Sequence, residues 1–391
     1  MIKLIKSSFY KEARTKKQLQ KFIQHAEMLS FSSECKKFES SFSKYQKRKH
    51  TVFVNSGSSA NLALIQALLN LGRLKKGDKV GFSAITWSTN VMPIIELGLI
   101  PIPIDIELDT VNISSRTVKN VLELEKLDAI FVTNLLGFCD DLEKIKEICD
   151  KEKIILLEDN CESLGTIYQN KLLGNFGLAS TCSFYVGHHM STIEGGVICT
   201  DDDELADMLS LVRAHGWDRN MNVDQQKDIR TKHKVNSTFY SRYTFYDLGY
   251  NLRPTEINGF LGNSQLEYLP EIVKKRQKNF FKIAKVLYKN TNYYPLRYDH
   301  IQTVSNFAIP LICKNQEIRN NLVKRCENQV EIRPVVGGDM SKQPFYQKYF
   351  STQKKYPTEN ALLTHTQGLY FGNNPELTTE ELQTLIDTFN I

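Results

Sequence analysis

Between residues 50 and 165 the chain repeatedly runs a short apolar segment into a small polar turn and then into an amphipathic stretch. No other feature constrains its fold so strongly. TVFV runs into NSGSSANLALIQALLNLG, KVGF into SAITWSTN, LDAIFV into TNLLG, and KIILLE into DNCESLG. Strands alternating with helices imply an α/β fold with a doubly wound, mostly parallel sheet. Open sheets of this kind bind ligands beyond the carboxyl ends of their strands. The residues at the strand exits are therefore the first to examine for function.

A chain of 391 residues is too long for one small core. We expect a polar helical arm over residues 1–50, a large sheet domain over 51–268 and a smaller α+β domain over 269–391. The arm carries FSSECKKFESSFSKYQK at helical spacing, and the last part opens with the basic helix LPEIVKKRQKNFFKIAKVLYKN. Net charge is +6, from 50 basic and 44 acidic residues spread along the chain, with no dense basic tract to suggest nucleic acid. Such an excess suits an anionic substrate and is equally ordinary for a solvated surface. No run of eighteen apolar residues and no apolar leader occurs, so neither a membrane span nor a signal peptide is expected. The eight cysteines are scattered without a CxxC, which points to a reducing cytoplasm rather than a disulfide or zinc framework.

The strand exits carry the candidates. Asn55-Ser56-Gly57-Ser58-Ser59 opens a helix with small residues and free N–H groups, either an anion cradle or a plain N-cap. Trp87 stands in a polar turn, unusual for a core residue. Glu158, Asp159 and Glu162 leave a buried strand, as caps or as partners for a ligand cation. SFYVGHHMSTIEGG reads as a strand end, a polar turn with His188 and His189, and a glycine pair entering another strand. From HGWDRN to about Thr238 the chain reads as an exposed loop, in which Trp217, Asp218 and Arg219 touch substrate or pin the loop itself.

In order along the chain, NSGSSANLAL, ITWSTNVMP, LEDNCESLG, GNFGLASTCSFY and LGYNLRPTEINGFLG resemble the motifs of the DegT/DnrJ/EryC1/StrS sugar aminotransferases. The resemblance implies a fold-type I aminotransferase architecture, pyridoxal phosphate as cofactor, and a homodimer with shared active sites. It places Asp159 on the pyridine nitrogen, Trp87 on the ring face, and Gly57, Ser58 and Ser183 on the phosphate. Glu162 falls near the ring hydroxyl, where the family often has glutamine, and Asn251 reaches the phosphate across the dimer interface.

One position departs from the family. Where the family carries the lysine that holds its cofactor covalently, this chain has His188, and no lysine lies between Lys171 and Lys227. Imidazole cannot form a stable Schiff base but moves protons near neutral pH. A histidine there marks the sugar 3-dehydratase branch of the family, with pyridoxal or pyridoxamine phosphate held non-covalently. The iron–sulfur kind in that branch has closely spaced cysteines, whereas none occurs here between Cys199 and Cys313. The resemblance thus implies a metal-free enzyme with L-glutamate as amine donor. It would convert GDP-4-keto-6-deoxy-D-mannose to a 4-keto-3,6-dideoxy sugar for surface polysaccharide.

His189 is expected to pack structurally, and no third Cys or His near the pair suggests a metal site. His215, Arg219 and Arg253 are candidates for the nucleotide sugar, although surface arginine is nearly as ordinary a reading. Two rival readings stand beside the dehydratase: an aminotransferase that leaves its amine on the sugar, and a silent homologue that only binds.

Overall fold

The computed structural model describes residues 1–350 and 356–391. Its main sheet uses β1 (His50–Val54), β2 (Lys79–Ser83), β3 (Ile100–Ile104), β4 (Ala129–Thr133) and β5 (Ile155–Asp159). A small hairpin of β6 (Ile167–Tyr168) and β7 (Lys171–Leu172) precedes β8 (Ala179–Ser183) and β9 (Gly196–Thr200), the last two strands of that sheet. The order is β1-β9-β8-β5-β4-β2-β3, with β3, β2, β4, β5 and β8 parallel and β9 antiparallel to both its neighbours. Side chains alternate across the sheet as the pleat requires. Ile130 and Val132 of β4 enter one core, and Ala129 and Phe131 enter the other.

The helices are α1 (Glu12–His25), α2 (Ser33–Gln46), α3 (Gly57–Asn70), α4 (Met92–Glu96), α5 (Ser115–Leu122) and α6 (Leu142–Glu152) up to β5. After β9 come α7 (Asp203–Arg213), α8 (Val223–Lys232), α9 (Glu256–Leu266) and α10 (Leu269–Leu287). The α3 sequence GSSANLALIQALLN is apolar nearly all round, as a helix buried on several sides must be. Ala60, Ala63, Leu64, Ile65, Ala67 and Leu68 are fully buried, and α3 packs on β8, β9 and α7. Its start is fixed by Ser56, whose Oγ accepts the Ser59 N–H at 3.0 Å. That cap aims the first turn of α3 at the exits of β5 and β8.

A second, antiparallel sheet has the order β10-β11-β13-β12, from β10 (Tyr293–Tyr294), β11 (Ala308–Cys313), β12 (Ile332–Arg333) and β13 (Gly368–Gly372). Leu311 and Phe371 of this sheet, Phe280 of α10, and Ile104 and Val132 of the main sheet share one continuous core. The two sheets are therefore packed layers with the catalytic candidates at their junction. Among the described residues no helix is long and apolar enough to cross a membrane.

Two local readings need correction. The stretch after HGWDRN is not all loop, because it contains α8. Asn222 caps that helix, and its backbone N–H in turn meets the Gln225 side chain. No α8 side chain is buried, so the sequence carries no apolar period to announce it. The residues ahead of α1 leave the helical arm for the second layer. Ile2 pairs in parallel with Val330, and the Leu4 N–H reaches Glu331 at 3.0 Å.

Candidate active site

At the exits of the parallel strands lies a cavity of about 320 Å³. Its wall brings together Gly57, Ser58, Trp87, Asp159, Glu162, Ser183 and His188, all seven being candidates from the strand exits. Their segments are far apart in sequence and meet because successive strands end on the same edge.

The floor is a cradle for an anion. Ser56 and α3 present the N–H groups of Gly57 and Ser58, which begin the helix and have no partner within it. A Cβ on Gly57 would lie 2.5 Å from the Ser183 Cβ and 3.1 Å from the Cys161 Sγ. Only glycine allows the helix start and the end of β8 to approach so closely. Gly196 does the same from the other side, where a Cβ would lie 2.4 Å from the Ser56 carbonyl. Gly57→Ala is expected to push the Ser183 hydroxyl out of place at a cost of about 1–3 kcal/mol. Titration of the variant with pyridoxal phosphate, followed by absorbance, should show at least about tenfold weaker binding.

Asp159 ends β5 with three hydrogen bonds to its carboxylate. Oδ2 accepts from Asn61 Nδ2 at 2.9 Å and Asn90 Nδ2 at 2.8 Å, and Oδ1 accepts the Cys161 N–H at 2.8 Å. Its neighbour Glu158 points to the opposite face, where it accepts the N–H groups of Gly174, Phe176 and Gly177 and holds that turn. Strand alternation thus separates a structural acid from a site acid within one dipeptide.

Glu162 is buried behind Asp159 and accepts the Leu136 N–H at 3.1 Å. Burial raises its pKa to about 8, the Leu136 N–H opposes that rise, and the Asp159 charge adds to it. The folded chain then keeps a proton that the unfolded chain releases above about 4.5, so stability falls as pH rises from there to about 8. His188 slopes the other way, because burial lowers its pKa from 6.5 to about 4 and stability falls as pH drops through that window. The two slopes oppose each other below pH 6.5 and leave Glu162 alone above it. Between pH 6.5 and 8 the stability of cofactor-free Glu162→Gln should therefore gain about 1–2 kcal/mol on wild type. Denaturant midpoints at the two pH values test this, and parallel pH dependences would refute it.

His188 sits in a turn closed by the Phe184 N–H on the Gly195 carbonyl and the His188 N–H on the Tyr185 carbonyl, at 2.8 and 2.9 Å. Its ring lies 5.2 Å from that of Phe307 and 5.8 Å from that of Tyr185, centroid to centroid. Burial is the main cause of its lowered pKa. The Asp159 charge and the Ser183 carbonyl pull it back up, and Arg276 pushes it down. The imidazole is consequently neutral at pH 7, with burial disfavouring its protonated form. His189 points away, fully buried, and donates from Nε2 to the Ser305 carbonyl at 3.0 Å. Among the described residues no group of His, Cys, Asp and Glu is placed to hold a metal ion.

Asn251, His215, Arg219 and Arg253 do not line this cavity. They gather around Trp217 instead. The His215 ring lies 4.9 Å from the indole, with the guanidinium carbons of Arg219 and Arg253 at 4.3 and 5.6 Å. The Asn251 Oδ1 accepts from Arg253 at 3.0 Å. Phe239, Tyr240, Tyr243, Phe245 and Leu248 stand exposed on the adjoining segment.

Sequence reasoning missed Asn61 and Asn90, which orient Asp159. Each follows a strand exit by a few residues, the only signal either gives. Phe307, Arg333 and Tyr370 come from the second layer, and Leu4 and Ile5 from the chain start, all lining the cavity. Nothing local marks these five.

The parallel sheet with this cavity at its exits is the fold of pyridoxal-phosphate-dependent aminotransferases. It superimposes over the whole chain on a solved GDP-4-keto-6-deoxymannose-3-dehydratase that holds a trapped PLP–glutamate geminal diamine, with 32% identity and a TM-score of 0.88 over 100% of each chain. The chain belongs to the DegT/DnrJ/EryC1/StrS aminotransferase family, whose sequence profile matches residues 10–390. It is 36% identical over 355 residues to the GDP-4-keto-6-deoxy-D-mannose 3-dehydratase of Escherichia coli O55:H7, covering 89% of this chain and 90% of that one. The enzyme of the same name from Yersinia pseudotuberculosis is 35% identical over 373 residues, covering 93% and 92%.

Proposed function

We propose that this chain removes the C3 hydroxyl of a nucleotide-linked 4-keto-6-deoxy sugar, specifically GDP-4-keto-6-deoxy-D-mannose. L-Glutamate supplies the amine, and the products are a 4-keto-3,6-dideoxy sugar for surface polysaccharide, 2-oxoglutarate and ammonia. The observation that carries this reading is the cavity wall, where His188 shares the space with Asp159, Glu162, Ser183 and Trp87 and no lysine is among the described lining residues.

The donor set fits pyridoxal or pyridoxamine phosphate held without a covalent bond. Gly57, Ser58 and Ser183 would take the phosphate at the helix start. Asp159 would face the ring nitrogen and Glu162 the ring hydroxyl. Trp87, 55% exposed at the cavity mouth, offers an uncovered indole face to the ring. When bound, this cofactor supplies the amine carrier and an electron sink.

His188 does the proton work. Neutral at pH 7, it removes a proton from the reacting carbon, and as imidazolium it delivers one to the departing C3 hydroxyl. A lysine would compete for the cofactor carbon and retain it, whereas imidazole serves only as acid and base. Phe307 and Tyr185 flank the ring.

The cluster of Asn251, His215, Arg219 and Arg253 would serve the cavity of a second copy in a homodimer. Its exposed aromatic surface supports that role. The eight free thiols, seven of them buried, support a cytoplasmic setting.

Mass spectrometry of the nucleotide sugar tests the reaction, using purified protein, pyridoxal phosphate, glutamate and GDP-4-keto-6-deoxy-D-mannose. Loss of one oxygen with no nitrogen gained, dependent on glutamate, is the expected result. A product that keeps nitrogen would make the chain an aminotransferase, and an unchanged sugar would refute the substrate.

A further inference from the structure

Arg276 lies mid-way along α10, far in sequence from every strand exit, and is 5% exposed. Its Nη2 donates to the backbone carbonyl of His188 at 3.1 Å, and its Nη1 to the carbonyl of Asn373 at 2.6 Å. Asn373 follows β13, and its Nδ2 returns to the Arg276 carbonyl at 2.9 Å and to the Asn306 Oδ1 at 2.8 Å. The next residue of the catalytic turn is held from the same side, since His189 donates to Ser305, beside Asn306. Two consecutive residues of the turn are thus fastened to α10 and to the segment leading into β11.

Resting on the assignment of His188 as acid and base, we infer that Arg276 is a positioning residue. Its guanidinium clamps the His188 peptide to the second layer and so fixes where the imidazole stands in the cavity. A tether of purely structural value has cheaper forms. Among the described residues no carboxylate comes within ion-pair distance of Arg276, so a buried cation faces only carbonyl dipoles. Burial alone lowers its pKa to about 9. Uncompensated buried charge is costly. The turn it holds presents to the cavity an imidazole flanked by the rings of Phe307 and Tyr185 and reached by the Ser183 carbonyl of its own segment. These neighbours leave the position of the His188 backbone to set where the ring stands, and Arg276 holds that backbone. A displacement of about 1 Å at a reacting group can cost about 10²-fold in rate.

The test uses Arg276→Met and Arg276→Lys, each alone and combined with His188→Asn. Cofactor-loaded protein is mixed with glutamate, and the single-turnover half-reaction is followed by cofactor absorbance. Hydrogen exchange of peptides covering residues 184–192 is measured on cofactor-free protein. Arg276→Met should lower the maximal rate at least about tenfold with half-saturating glutamate changed less than about twofold, and should speed exchange of the turn. Arg276→Lys, which keeps charge but not the fork, should fall between. In the His188→Asn background the Arg276 substitutions should leave the residual rate within about twofold, because a residue acting through His188 has nothing left to position.

Equal losses in both backgrounds would reduce Arg276 to a structural residue and overturn the inference, as would a full rate with unchanged exchange in Arg276→Met. If Arg276→Met does not fold, Arg276→Lys carries the same comparison. A His188→Asn protein that keeps a rate within about tenfold of wild type would instead sink the assignment of His188. Loss on His188→Asn with the Arg276 variants at full rate would sink this inference alone.

Discussion

Replacing His188 with asparagine is expected to slow the glutamate half-reaction by about 10²–10⁴-fold, the range a positioned acid–base contributes, while pyridoxal phosphate binds nearly as before. The cofactor-binding candidates support the second half of that statement. Gly57, Ser58 and Ser183 are placed by the helix start and the end of β8, and Asp159 is held by Asn61, Asn90 and the Cys161 N–H. None of these depends on the imidazole. The His188 ring makes aromatic contacts with Phe307 and Tyr185, and its buried Nδ1 has no hydrogen-bond partner. An amide of similar length therefore removes little packing, and denaturant stability should stay within about 1 kcal/mol of wild type. The measurement is stopped-flow absorbance of cofactor-loaded protein at saturating glutamate. A rate within tenfold of wild type would mean that another group moves the proton, and the proposed mechanism would fail at its centre.

Much of the architecture was legible because its signals are local. Five-residue apolar strands followed by capped helices reveal themselves by period and by turn chemistry, and Ser56, Gly57 and Asp159 announce strand exits. The parts that were not legible depend on contacts across long stretches of chain. Asn61 and Asn90 resemble any polar residue beyond a strand exit until the fold brings both amides to one carboxylate oxygen. Arg276 reads as one more cation in a basic helix, and only burial against the His188 turn distinguishes it. Leu4 and Ile5 reach the cavity because Ile2 pairs with Val330, a contact between segments far apart in the sequence. The exposed helix α8 escaped for the opposite reason. It buries nothing, so it needs no apolar stripe, and a capping box is its only local mark.

Asp159→Asn should leave a different signature from His188→Asn, with stability and rate falling together. Both oxygens of the carboxylate are acceptors, Oδ2 for two side-chain amides and Oδ1 for the Cys161 N–H. An amide in the same place has one acceptor and one donor. With its NH₂ at the Oδ1 position it leaves the Cys161 N–H unpaired, and in the flipped orientation it leaves both asparagine amides unpaired. The first is the smaller loss, and one orphaned buried donor costs about 1–3 kcal/mol. Denaturant unfolding of the cofactor-free variant measures that cost directly. On the proposed placement of the cofactor, catalysis should lose more, because a ring nitrogen at this position would no longer face a charge that stabilises its protonated form. Removing one such preorganised electrostatic partner lowers rates by about 10²–10³-fold. The same substitution also withdraws the negative charge that partly offsets the burial of His188. Its imidazolium then becomes harder to form, which compounds the loss at the proton-transfer step. Stopped-flow absorbance with glutamate and the visible spectrum of the bound cofactor read these effects. A variant with wild-type spectrum and rate would show that Asp159 only braces Asn61 and Asn90, and the cofactor's orientation in the cavity would have to be reassigned.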